Sequence, residues 1–348
     1  MSQIIEASLP RTLSDPGPVQ TAAPSEWALL GAPIDCSGNL RGTNLLPEAL
    51  RLAGIVEALG IPNLGDLELK FDQSSRDALT GMIAPSQVRE VSEEIYREIL
   101  KLLEAGRRPF VLGGCCTVLI GICAALKKYY GEFGLLFVDG HLDYYDGRSS
   151  LHGEAADMEL RFVLGRGPSE ITNLADVSAP FAQSSNVIVC GFRDEENALR
   201  DGAPDIRQEE PQVVLLGLSK LREFGIGPAS RYISERLARL EKPFWLHLDV
   251  DVLSDLDMPA VDYLQSDGLS WAELIELLKP ASNSKALIGV DVTILNPSLD
   301  KDGSSVKLLV SALEDVFAHP LAYNTPNRSM PEGKPKHDTL SKEFIKSS

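Results

Sequence analysis

Leu135-Leu136-Phe137-Val138-Asp139-Gly140-His141-Leu142-Asp143 joins an apolar run of strand length to an Asp-x-His-x-Asp cluster. The run reads as a buried β-strand. Alternate side chains of a strand share a face, so Asp139, His141 and Asp143 point together if the chain stays extended. Two carboxylates and an imidazole at a strand end form a donor set suited to Mn²⁺, Ni²⁺, Fe²⁺ or Zn²⁺. The plainer alternative is a solvated turn that caps the strand.

A second segment repeats the arrangement. Phe244-Trp245-Leu246-His247-Leu248 ends in Asp249-Val250-Asp251, placing His247, Asp249 and Asp251 on one face of an extended chain. In an open parallel sheet, ligands collect where the carboxyl ends of several strands meet. Two acidic strand ends, distant in sequence and adjacent in space, predict a two-metal centre.

The 348-residue chain is long enough for one large α/β domain, and its 44% hydrophobic content supports a substantial core. Its formal net charge of −17 argues against nucleic acid or an anionic membrane as partner, since both repel an acidic surface. No apolar run approaches the roughly 20 residues that span a bilayer, and the first residues lack the basic and apolar regions of a signal peptide. Five cysteines without framework spacing read as reduced thiols. These features together predict a cytoplasmic protein with a small, cationic substrate.

Short apolar runs alternate with helical stretches from Trp27 onward. Strands are expected at 27–33, 109–112, 135–138, 186–189, 213–216, 244–248 and 286–292. Helices are expected at 47–59, at 86–103 with Ser86 as cap, from Thr117 to Tyr129, and at 229–240, 270–278 and 306–317. This alternation predicts a three-layer α/β/α sandwich with a mainly parallel sheet, in one domain over 27–318. Residues 1–26 read as a loose arm. The polar tail 319–348 reads as disordered, or as an arm ordered on another subunit.

Taken in order, these pieces resemble the ureohydrolase superfamily of arginases and agmatinases over Trp27 to Phe317. Gly31-Ala32-Pro33-Ile34-Asp35, Gly42 and Pro47-Glu48-Ala49-Leu50-Arg51 look like that family's N-terminal loop and helix. Gly113-Gly114 stands where the family has Gly-Gly-Asp-His, and Asp139-Gly140-His141-Leu142-Asp143 matches its Asp-Ala-His-x-Asp. Asp249-Val250-Asp251, Met258 to Asp262 and Gly268-Leu269-Ser270 match its Asp-x-Asp segment and the loop beyond. The resemblance implies two Mn²⁺ or Ni²⁺ ions and a bridging hydroxide that attacks a guanidinium carbon. It makes Asp139, Asp143 and Asp249 shared or first-metal ligands, and assigns His141 and Asp251 to the second metal. His152 becomes a proton shuttle, and Glu154 a neighbour of the substrate.

Two departures cut across the resemblance. Cys115-Cys116 replaces Asp-His, so Cys116 is either a thiolate ligand or a buried packing residue. Ile294-Leu295-Asn296-Pro297 replaces Glu-Val-Asn-Pro, putting Ile294 where the family grips the guanidinium with a carboxylate. The losses suggest an impaired site whose chain partners a catalytic paralogue in a hetero-oligomer that splits biguanides. The alternatives are a self-sufficient metal-dependent guanidino hydrolase, with Cys116 or His247 replacing the missing ligand, and a binding module that kept only the pocket.

Overall fold

The computed structural model describes residues 26–37 and 41–318. Eight strands build the central sheet: β1 (Glu26–Gly31), β2 (Asn63–Asp66), β3 (Arg107–Leu112), β4 (Gly134–Val138), β5 (Val187–Cys190), β6 (Val214–Leu216), β7 (Phe244–Asp249) and β8 (Leu287–Thr293). They lie in the order β2-β1-β3-β8-β7-β4-β5-β6, and every neighbouring pair is parallel. Parallel pairing requires crossovers, supplied here mainly by helices that cover the sheet. This is the expected α/β architecture.

The helices that frame the sheet and the site include α1 (Leu46–Leu52), α2 (Ile55–Leu59), α3 (Pro85–Glu104), α4 (Val118–Tyr130), α5 (Glu159–Val163), α6 (Ile226–Arg239), α7 (Trp271–Ser282) and α8 (Ser304–Leu313). α3 packs on α4, and α6 on α7. α3 buries Val88, Val91, Ile95 and Ile99, at the three- and four-residue spacing that puts side chains on one helix face. Phe110, Phe137 and Trp245, fully buried on β3, β4 and β7, anchor the core; burying such a side chain contributes about 1.5–3 kcal/mol.

Chain order explains where a site can form. The step from β3 to β4 leaves a gap that β7 and β8 later fill, so the carboxyl ends of β3, β8, β7 and β4 become neighbours. Four loops from separate parts of the chain therefore converge at mid-sheet.

Several boundaries differ from expectation. The helix expected over 47–59 breaks in two at Gly54, whose φ of 93° is left-handed. α3 begins at Pro85 without a side-chain cap, so Ser86 does not play that part. α7 does start at its Ser270 cap, where Ser270 and Glu273 form a reciprocal capping box, but it runs on to Ser282. α8 ends at Leu313 and gives way to a π-turn over Glu314–Ala318. The edge strand β2 was not foreseen, because Asn-Leu-Gly-Asp carries no apolar pattern. Of the expected arms at 1–26 and 319–348, residues 1–25 and 319–348 lie outside the described residues, and Glu26 already belongs to β1. Among the described residues, no helix is long and apolar enough to cross a membrane.

Candidate metal centre

Beyond β3 the chain turns at Gly113-Gly114-Cys115-Cys116 into α4. A Cβ on Gly114 would stand 1.7 Å from the Ile34 carbonyl oxygen, so only glycine permits this approach. Cys115 N–H donates to that carbonyl at 2.9 Å, which fixes the turn. Cys116 Sγ then lies 2.7 Å from Asp249 Oδ2 and 3.1 Å from Thr293 Oγ1. Cys116 is buried in the core, as the packing reading expects, yet its sulfur also faces a carboxylate, as a ligand would. Cys115 has a quieter role, accepting the Cys36 N–H at 3.3 Å. All five cysteines are free and buried.

Asp139, His141 and Asp143 do not continue β4 as an extended alternation. The strand ends at Val138, and Asp143 turns the chain at a left-handed φ of 46°. A loop does the gathering instead. Gly140 N–H donates to Asp251 Oδ1 at 3.0 Å, and His141 Nδ1 lies 2.9 Å from Asp251 Oδ2. On β7, His247 and Asp249 share a face, after which a short 3₁₀ turn over Val250–Val252 carries Asp251. Asp251 N–H donates to Asp249 Oδ1 at 2.7 Å.

Two donor sets result, and Asp139 belongs to both. Asp139, His141 and Asp251 offer atoms that all lie within 4.8 Å of one another. Cys116, Asp139, Glu159 and His247 do the same in a fully buried cluster. In that second set Asp139 Oδ2, both Glu159 carboxylate oxygens and His247 Nε2 have no hydrogen-bond partner. Orphaned buried acceptors are rare, because each carries a desolvation cost that a partner normally offsets. A divalent cation is such a partner, so these residues fit the metals that the motifs imply. Asp143 and Asp249 are buried beside them.

The electrostatics agree. Burial first, then the charges of their carboxylate neighbours, pushes Asp139 upward and Asp143 and Asp249 far above the usual carboxylate range. Burial likewise raises Glu159. His141 is lowered by burial, but Asp251 outweighs this and takes it up to about 10; Asp291 does the same for His247. Anionic oxygens crowded this closely need cations. Without metal, the protons of these groups supply them.

A cavity of about 680 Å³ opens above the cluster. Asp143, Asp249, Asp251 and His141 reach it, as does Ile294. Ile294 is a β-branched residue held at a φ of 75°, a strained backbone state. His152 is exposed at the rim, with its ring 5.6 Å from that of Tyr263. Glu154 also lines the cavity, but it is engaged: Arg41 lies 2.9 Å from its Oε1, and the Tyr263 hydroxyl donates to the same oxygen at 2.9 Å. The rim is stapled by Arg76, which donates to the carbonyls of Gly81, Gly147, Ser150 and Leu151 at 2.6–2.9 Å.

Glu159 escaped the sequence reading. The available signal was its position in Met158-Glu159-Leu160-Arg161-Phe162-Val163, where helical spacing sets Glu159 on the face of Phe162 and Val163. Asp291 escaped too, although a lone carboxylate within the buried run Leu287–Thr293 is visible as an anomaly.

A parallel α/β sheet with paired Asp-x-His-x-Asp and Asp-x-Asp loops at its carboxyl edge defines a metal-centre hydrolase fold of the ureohydrolase type. The chain belongs to the arginase family: the sequence model of that family matches residues 25–318. It is 26% identical over 302 residues to an arginase of Brevibacillus brevis, covering 84% of this chain and 98% of the relative. Among solved structures, the arginase of Bacillus caldovelox superimposes with a TM-score of 0.77 at 23% identity, and that of Bacillus cereus with 0.74 at 24%. Each spans 84% of this chain and 98% of its own. Arginase-family proteins normally hold two divalent metals.

Proposed function

We propose that the chain hydrolyses a C–N bond of a cationic guanidino or amidino compound, using two divalent metals and its own residues. One observation carries this reading: two donor sets share Asp139, which is buried beneath a cavity that His141 and Asp251 of the first set line. Asp139, His141, Asp249 and Asp251 would hold one cation, and Asp139 with the deeper donors the other. When bound, the metals supply a water acidic enough to lose its proton near neutral pH. Arg193 steadies the Asp251 loop by donating to the Asp251 carbonyl at 2.9 Å and to Leu253 at 3.2 Å. Asp157, Asp194, Asp201 and Asp262 give the cavity wall its negative character and favour a cationic ligand. His152, exposed at the rim, passes a proton to the departing amine. The acidic surface and free thiols suit the cytoplasm.

The test is direct. Purified chain loaded with Mn²⁺, Ni²⁺ or Zn²⁺ is offered a panel of guanidino and amidino compounds, and release of urea or amine is followed. Turnover by the isolated chain supports the reading, and none with any metal overturns it.

Ile294 favours a second reading. An alkyl side chain stands in the cavity where arginase-like sequences place a carboxylate, which suits a less charged, alkylated ligand such as a biguanide. In this version the chain is a partner subunit in a heteromeric, metformin hydrolase-like enzyme. Activity that appears only when a catalytic paralogue is co-expressed would select it.

A further inference from the structure

We propose that Glu159 and His247 ligate one of the two metals in this chain, forming with Asp139 and Cys116 a buried sulfur–nitrogen–oxygen site selective for Zn²⁺-class ions over Mn²⁺. The inference deepens the metal-dependent reading above and rests on it only for the existence of a paired centre.

Three independent features point the same way. Cys116, Asp139, Glu159 and His247 come from the β3–α4 turn, the end of β4, the start of α5 and the middle of β7, and all four are 0% exposed. Their donor atoms nevertheless lie within one 4.8 Å cluster. Glu159 is the decisive member. Neither of its buried oxygens makes a hydrogen bond of standard geometry, and Glu159 faces the Asp143 carboxyl. That arrangement needs a proton or a cation between the two, although α5 could have carried an apolar residue at that point.

His247 supplies the second feature. Its Nδ1 lies 2.6 Å from Asp291 Oδ2, and Trp245 Nε1 donates to Asp291 Oδ1 at 2.5 Å. The ring also stacks on Phe137 at 4.6 Å, so its orientation is set from two sides. Nε2 makes no hydrogen bond and faces Asp139 Oδ2 at 3.9 Å. A carboxylate behind one imidazole nitrogen with the other directed inward is the usual support of a metal-ligating histidine.

Donor chemistry is the third. A thiolate and an imidazole are softer than the all-oxygen environment that Mn²⁺ favours, and four protein donors suit the low coordination number of Zn²⁺. The competing account is a metal-free cluster in which a protonated His247 sits between Asp291 and Asp139.

Metal counting on the full-length protein separates the two accounts without reference to turnover. After chelation and dialysis against Zn²⁺, the wild type is expected to retain two ions per chain, and Glu159→Gln to lose about tenfold to a hundredfold in affinity for one of them. With Co²⁺ in place of Zn²⁺, a thiolate-to-cobalt charge-transfer band is expected, and Cys116→Ser should abolish it. In chelator, Glu159→Gln should melt no lower than the wild type, because the neutral amide relieves carboxylate crowding. A merely structural glutamate would instead lower melting with and without metal. Unchanged two-ion binding in folded Glu159→Gln and His247→Gln, or no band in wild-type Co²⁺ protein, overturns the proposal. Two bound ions without hydrolysis of any guanidino compound would sink the functional reading and leave this one standing.

Discussion

Asp291 Oδ2 lies 2.6 Å from His247 Nδ1 across the β7–β8 register, while its other oxygen takes the indole N–H of Trp245. One buried carboxylate thus orders two side chains on the neighbouring strand. The register makes this inevitable, since Asp291 pairs with His247 and Trp245 lies two residues earlier on the same face.

Asp291→Asn removes one of the two acceptors. It should leave a buried N–H unpaired, at a cost of about 1–3 kcal/mol in stability. It should also weaken one metal by about tenfold to a hundredfold. Chemical denaturation and metal titration of the same variant check both figures.

The metal-free protein should lose stability as pH rises. Burial lifts Asp194 to about 6 and Asp157 to about 7, and neighbouring carboxylates lift His141 and His247 to about 10. All four groups bind protons more tightly when folded. Their contribution is complete below the unfolded values, roughly 4 for the acids and 6.5 for the imidazoles, and is lost as pH climbs through the folded ones. Asp251, held low by His141, works in the opposite direction only in acid. Thermal melts in chelator should fall between about pH 5 and pH 9. Saturating metal should reverse that trend over the lower part of the range, because binding then releases protons.

Gly140→Ala tests the loop that gathers the ligands. A Cβ there would stand 2.6 Å from the Asp251 carbonyl oxygen and 2.4 Å from an Arg193 guanidinium nitrogen. Overpacking of this kind costs about 1–3 kcal/mol, and relief requires the Asp251 loop to move. The expected outcome is a larger loss of metal affinity than of melting temperature. Equal, small losses would show that the loop absorbs the methyl group.

Ile294→Glu should redirect ligand preference toward more highly charged guanidinium compounds. The new carboxylate would face the cavity and pair with a cation that the isoleucine cannot hold. Competition binding between a charged guanidinium and its alkylated, less charged analogue reads the change as a reversed ratio.

The strands, and the gathering of Asp139, His141, Asp249 and Asp251 near their ends, were legible because charged residues abruptly terminate apolar runs at Asp139 and Asp249. The mode of convergence was not. An extended chain would align His141 with Asp139, whereas the molecule uses a left-handed turn at Asp143 and a 3₁₀ turn at Asp251. Cys116 was open to two readings because its meaning depends on Asp249, 133 residues away. Glu159 was hidden for the same reason: its neighbours lie on β3, β4 and β7, and no local pattern announces them.

Arg76 has a consequence for traffic at the mouth of the cavity. By bonding four carbonyls from two segments at once, it ties the stretch before His152 to the turn at Gly81. Backbone on this side of the mouth is therefore set in place before any ligand arrives, and an arriving ligand spends no binding free energy to order it.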